Sequence, residues 1–100
     1  MKTETNAPRV LRLTLKKQWF DMIASGEKKE EYRTLSKWIF SRLEGKQYDL
    51  VEFSNGYGAT VPKVTVEFAG WYFGVGLSKW GAVPNQRYAI IVLGRVLSRS

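Results

Sequence analysis

Two residue types are missing altogether. With no cysteine among its 100 residues, the chain has neither a disulfide framework nor a thiolate nucleophile, and with no histidine it lacks the commonest metal ligand and general base. Most zinc sites, and the Ser-His-Asp and Cys-His schemes of covalent catalysis, are thereby excluded. No run of about 20 apolar residues offers a membrane-spanning helix. The polar stretch Met1 to Pro8 lacks the apolar centre of a secretory signal. The expectation is a cytoplasmic protein with no metal, no organic cofactor and no membrane partner.

What is present suits one small globular unit. The length allows one hydrophobic core and is too short for two ordinary domains. Hydrophobic residues make up 44% and charged residues 25% of the chain, close to the averages for folded proteins, so a packed core can offset the entropy of folding. The charge is lopsided: 16 Lys and Arg against 9 Asp and Glu leave a formal +7. Such an excess favours polyanionic partners through phosphate neutralisation and counterion release, and carries no specificity of its own.

Periodicity divides the chain into short elements. Residues 1–8 read as a disordered tail, and residues 9–98 as the domain. Leu11, Leu13 and Leu15 alternate with Arg12 and Thr14, the pattern of a half-buried strand over Val10 to Leu15. Trp19, Met22 and Ile23 recur at helical spacing within Lys17 to Ser25, and Gly26 supplies the left-handed stop. Ser36 is placed to cap a second helix through Leu43. Tyr48 to Phe53 reads as a strand closed by the turn-forming Ser54 to Gly58. After Pro62, Val64, Val66 and Phe68 alternate with polar residues as a further strand. Gly70 to Pro84, with its glycines and aromatics, reads as an ordered functional loop, and Arg87 to Leu97 as a last strand with a bulge at Gly94. Five or six strands with two short helices near the N-terminus, in no regular alternation, predict an α+β fold whose mixed sheet closes into a small barrel.

The segment Gly26-Glu-Lys-Lys-Glu-Glu-Tyr-Arg33 is charged at almost every position, unusual for a surface strand without a task. Gly26 frees the backbone for close approach. Lys28 supplies a point cation for phosphate or, if burial lowers its pKa, a general base. Glu31 and Arg33, two apart in an extended segment, share one face and can pair there, leaving guanidinium donors for a phosphate or a base edge. In a regular strand Lys28 would face the other way, so the three converge only if Lys28 lies in the turn after Gly26.

The run from Leu13 to Arg33 resembles the ASCH domain family, whose motif G-x-K-x-x-E-x-R is matched by Gly26, Lys28, Glu31 and Arg33. Trp80-Gly-Ala-Val-Pro-Asn85 and Tyr88-Ala-Ile-Ile-Val-Leu-Gly94 are similar to the C-terminal half of its short phage and bacterial members, so the likeness spans roughly residues 10 to 97. The resemblance implies a PUA-like barrel with a cleft beside the motif, and a role in binding RNA or modified nucleosides. Some small members hydrolyse the amide of acetylated cytidine. They use the motif lysine, a threonine at the motif's glutamate position and a more distant glutamate. This chain carries Glu31 where that threonine stands, with Thr34 out of register and Glu67 as the candidate distant carboxylate.

A second group of candidates is aromatic. Tyr32, Tyr57, Trp71, Tyr72 and Trp80 lie in or beside polar and glycine-rich stretches, where rings can stack on bases. Trp19 and Trp38, on apolar helix faces, are assigned to the core. Asn55 is placed to bond a base edge. The expected function is an RNA- or nucleotide-binding module, its ligand set being Lys16, Gly26, Lys28, Glu31, Tyr32, Arg33, Asn55, Tyr57 and Trp80. The alternative is a small amidohydrolase or ribonuclease with Lys28 and Glu31 as catalytic pair.

Overall fold

The computed structural model describes residues 7–100, so most of the expected N-terminal tail lies outside the described residues. Strand β1, Val10–Leu15, buries Leu11, Leu13 and Leu15 and turns Arg12 outward, as its alternation predicts. Helix α1, Lys17–Ala24, follows and buries Phe20 and Ile23. Strand β2, Glu30–Thr34, leads to α2, Lys37–Leu43. The Ser36 side chain caps α2 by accepting from the Ile39 N–H at 3.1 Å, which satisfies one donor left open at a helix start. Strands β3, Leu50–Asn55, β4, Lys63–Val75, and β5, Arg87–Arg99, complete the α+β fold, with one turn of 3₁₀ helix at Ser78–Trp80.

The five strands form one mixed sheet in the order β1-β3-β4-β5-β2, with β1 and β3 parallel and every other pair antiparallel. The long strands β4 and β5 change register near Gly70 and Gly94. At the second of these the Glu67 carboxylate accepts the Arg95 backbone N–H at 2.9 Å. Such bulges bend and twist a sheet, and here the sheet curls into a half-barrel rather than closing. Its concave side holds Val51, Phe53, Val64, Val66, Ala89, Ile91 and Leu93, plugged by Phe20 and Ile23 of α1 and Ile39 and Leu43 of α2. On the outer face of β5, Tyr88 and Ile90 form a small second cluster with Ala82, against which Tyr32 packs. Burial on both faces explains the unbroken apolar run from Tyr88 to Leu93.

The half-barrel is open between its two edge strands, β1 and β2, and side chains span this seam. The carbonyls of Arg12 and Thr14 point out from the free edge of β1. Arg42 of α2 reaches the first at 3.5 Å, and Arg33 of β2 donates to the second at 2.8 Å.

Several expectations need correction. Gly70 to Val75 is not loop but the second half of β4, paired with β5 from Trp71↔Ile91 to Val75↔Arg87; cross-strand partners outweigh the poor strand propensity of its glycines. The loop begins only at Gly76. Strand β3 starts at Leu50 and includes Ser54 and Asn55, because Asn55 stands opposite Leu15 and donates its N–H to the Pro62 carbonyl. Trp38 is not core: it is 54% exposed and carries the Arg42 guanidinium 5.5 Å from its ring centroid. Ile39 and Leu43 define the buried face of α2, and Trp38 falls outside it.

Candidate functional site

Gly26 ends α1 with φ +86°, a conformation that favours glycine. Nothing lies within 4 Å of a Cβ built there, so the glycine serves the backbone turn and not the approach of a neighbour. Its N–H donates to the Ile23 carbonyl, and that of Lys28 to the Met22 carbonyl at 2.9 Å, folding the chain back over the helix end. Lys28 therefore precedes β2 and escapes the strand's alternation. Glu31 and Arg33 point inward with it, while Glu30 and Tyr32 point outward.

The three charged side chains converge. Lys28 Nζ lies 3.0 Å from Glu31 Oε1, and Arg33 Nε lies 2.8 Å from Glu31 Oε2, so one carboxylate carries both cations. Lys28 and Glu31 are buried, at 2% and 5% exposure. Lys28 also donates to the Glu30 carbonyl, and its ammonium sits 5.0 Å from the Tyr32 ring centroid and 6.0 Å from that of Trp19, within the range of cation–π attraction. Two cations against one carboxylate leave the cluster at +1 while Lys28 is protonated. Burial depresses the Lys28 pKa against the opposing pull of Glu31, and Arg33 adds to the depression.

Arg33 is the group of the cluster that meets solvent, with 23% of its side chain accessible. Its Nη2 is committed to the Thr14 carbonyl; Nη1 has no hydrogen-bond partner among the described residues. Two residues beyond Thr14, Lys16 is exposed, and its carbonyl caps the start of α1. Asn55 stands across from Leu15, and the Gly56 N–H donates to the Leu15 carbonyl. Lys16 thus follows in sequence on the carbonyl that Arg33 takes, and Asn55 lies across β1 from it, on β3. Tyr57 is 87% exposed beyond them.

A strap of chain from Gly76 to Val83 covers the outer side of β2. Tyr32 Oη accepts the Leu77 N–H at 2.9 Å and donates to Glu30 Oε1 at 2.7 Å. Gly76 and Gly81 press on rings: a Cβ would lie 2.5 Å from the Tyr32 ring at the first and 3.0 Å from the Trp19 ring at the second. These are the two rings that flank Lys28. Glu30 also accepts from Tyr72 Oη at 3.3 Å. Burial raises the pKa of both phenols, and the Glu30 carboxylate raises it further.

The expected ligand set therefore divides into an inner cluster of Lys28, Glu31 and Arg33, a mouth with Lys16 and Asn55, and an outer group in which Tyr32 meets the strap bearing Trp80. Glu67, the candidate distant carboxylate, shares no hydrogen bond with the inner cluster and is held by Arg95. Thr14 and Glu30 are not singled out by the sequence, and the strap is only part of the segment Gly70 to Pro84 read there as a functional loop. Thr14 acts through its carbonyl, which no side-chain pattern reveals, whereas Gly76 and Gly81 carry a weak signal as glycines in an aromatic-rich segment. Among the described residues no group of three or more acidic side chains could hold a metal ion, and no helix is long and apolar enough to cross a membrane. No protein-family model, no curated protein and no solved structure matches this chain.

Proposed function

We propose that this chain is an RNA- or nucleotide-binding module of the ASCH type, PUA-like in fold, which receives its ligand at the seam beside Arg33. The observation that carries the reading is the fixing of Arg33. Glu31 holds one edge of its guanidinium and the Thr14 carbonyl another, while Nη1 has no partner among the described residues and 23% of the side chain is accessible. A guanidinium so fixed loses little entropy on engaging a phosphate, and the +7 chain adds long-range attraction. Lys28 then acts behind the ligand: it helps hold Glu31, which holds Arg33.

A titration with a ten-nucleotide single-stranded RNA at two salt concentrations tests this. Binding is expected to weaken as salt rises, and Arg33→Ala or Lys16→Ala to lower the salt slope by about one phosphate contact. No binding by the wild-type chain at low salt removes the reading. The buried Lys28–Glu31 contact at 3.0 Å, where burial pushes the Lys28 pKa down, favours a second reading, an amidohydrolase that uses Lys28 as general base on an acylated cytidine. Its test is acetylcytidine turnover by the wild type and by Lys28→Met, with the fold of the variant checked by its melting curve. Equal rates would end it.

A further inference from the structure

Outside the seam, on the convex side of the sheet, a cleft of about 530 Å³ opens between the strap and the second half of β5. Leu77 and Trp80 of the strap form one wall, and Val92, with the β5 backbone running on through Leu93 and Gly94, the floor. Lys29, Glu30, Glu67 and Arg95 stand around its rim. The volume falls in the range of roughly 300–1,000 Å³ typical of small-molecule sites.

The rim charges are not equally available. The Glu30 carboxylate is occupied by the hydroxyls of Tyr32 and Tyr72. Glu67 accepts the Arg95 backbone N–H and stays paired with its guanidinium, which holds the Glu67 pKa below the ordinary value. The Lys29 side chain, by contrast, is exposed and has no hydrogen-bond or ion-pair partner among the described residues. Arg95 is held only at 3.4 Å by Glu67, with 80% of its side chain in solvent. Lys79 lies 4.9 Å from the Trp80 ring centroid and adds a third cation at the strap. The unengaged charge around an aromatic and aliphatic cleft is therefore positive.

We infer that this cleft is a second binding site, distinct from the seam, for a planar aromatic ring bearing an anionic group, of the nucleoside monophosphate class. The ring lies against Trp80 over Val92, and the phosphate meets Lys29 and Arg95. A free nucleotide and the phosphorylated end of an oligonucleotide share this chemistry.

The test is a titration of the full chain with adenosine monophosphate, read by NMR at the backbone amides of Val92, Leu93 and Arg95 and at the Trp80 indole. Saturable shifts are expected there, with adenosine and inorganic phosphate each binding about tenfold more weakly or worse. Lys29→Glu and Arg95→Glu, both at exposed positions, are expected to weaken binding by about tenfold; Trp80→Leu removes the stacking face. Competition by a 5′-phosphorylated tetranucleotide but not its 5′-hydroxyl form would point to an RNA end as the source, and equal failure of both to the free nucleotide. If no cleft signal moves, or all three variants bind like the wild type, the inference falls. Shifts confined to Thr14, Lys16 and Arg33 would overturn it while leaving the seam reading intact. A cleft response unchanged by Arg33→Ala, in a chain that binds no RNA at low salt, would do the reverse.

Discussion

The concave core and the seam beside it hold the fold in opposite ways. In the core, Phe53, Val51, Val64 and their neighbours form a cluster of buried apolar side chains, and their stabilisation comes from apolar area removed from water. At the seam, Lys28 and Glu31 are buried almost as deeply, where desolvation opposes them and only mutual pairing makes burial tolerable. A residue as costly to bury as Lys28 is weak evidence for stability. The difference teaches that the core accounts for folding, whereas the seam holds Arg33 in one orientation.

The sharpest way to break this contrast is to remove one member from each region. Phe53→Ala is expected to cost about 3–5 kcal/mol through lost burial and the cavity left behind. Glu31→Ala is expected to cost a similar 3–5 kcal/mol for a different reason, since it leaves two cations facing each other without their carboxylate. Chemical denaturation of both variants would show the costs. If Glu31→Ala unfolds at the wild-type midpoint, the cluster is not the coupled unit described here. The complementary experiment replaces the whole cluster by Lys28→Met, Glu31→Leu and Arg33→Met together. Stability is then expected to hold or rise, by up to about 4 kcal/mol, while the RNA binding proposed for the seam is expected to be lost. A triple variant that binds as before would separate the seam from function.

Smaller changes refine the comparison. Gly76→Ala places a methyl group against a Tyr32 ring fixed by Leu77 and Glu30, so about 1–3 kcal/mol of overpacking is expected. It should concentrate in the strap, as faster amide exchange at Leu77 with little change in the core. Ser36→Ala removes the cap of α2 and is expected to lower stability by about 1 kcal/mol. A melting temperature equal to that of the wild type would show that the cap contributes nothing here.

The parts legible in the sequence are those governed by local periodicity or by one special residue. Leu11, Leu13 and Leu15 declare β1; Ser36 and Gly26 mark helix boundaries that the structure keeps. The convergence of Lys28 with Glu31 and Arg33 was also within reach, because strand parity allows it only if Lys28 precedes the strand. What stayed hidden depends on partners distant in the chain. Gly70 and Gly74 disguise the second half of β4, which is a strand because β5 lies beside it. Trp38 has the composition of a core residue, yet only the packing of Ile39 and Leu43 decides which side of α2 meets the sheet. Nothing in residues 76–83 by themselves says that they fold back over Tyr32 and Trp19.

The two carbonyls along β1 have a consequence for self-association. An unclaimed strand edge is a template on which another copy's backbone can pair, and a half-barrel, unlike a closed one, has two such edges. Because Arg42 and Arg33 occupy the Arg12 and Thr14 carbonyls, an incoming strand finds those acceptors already taken and positive charge beside them. The same guanidinium proposed to greet a phosphate thus also helps keep the molecule from stacking on its own kind.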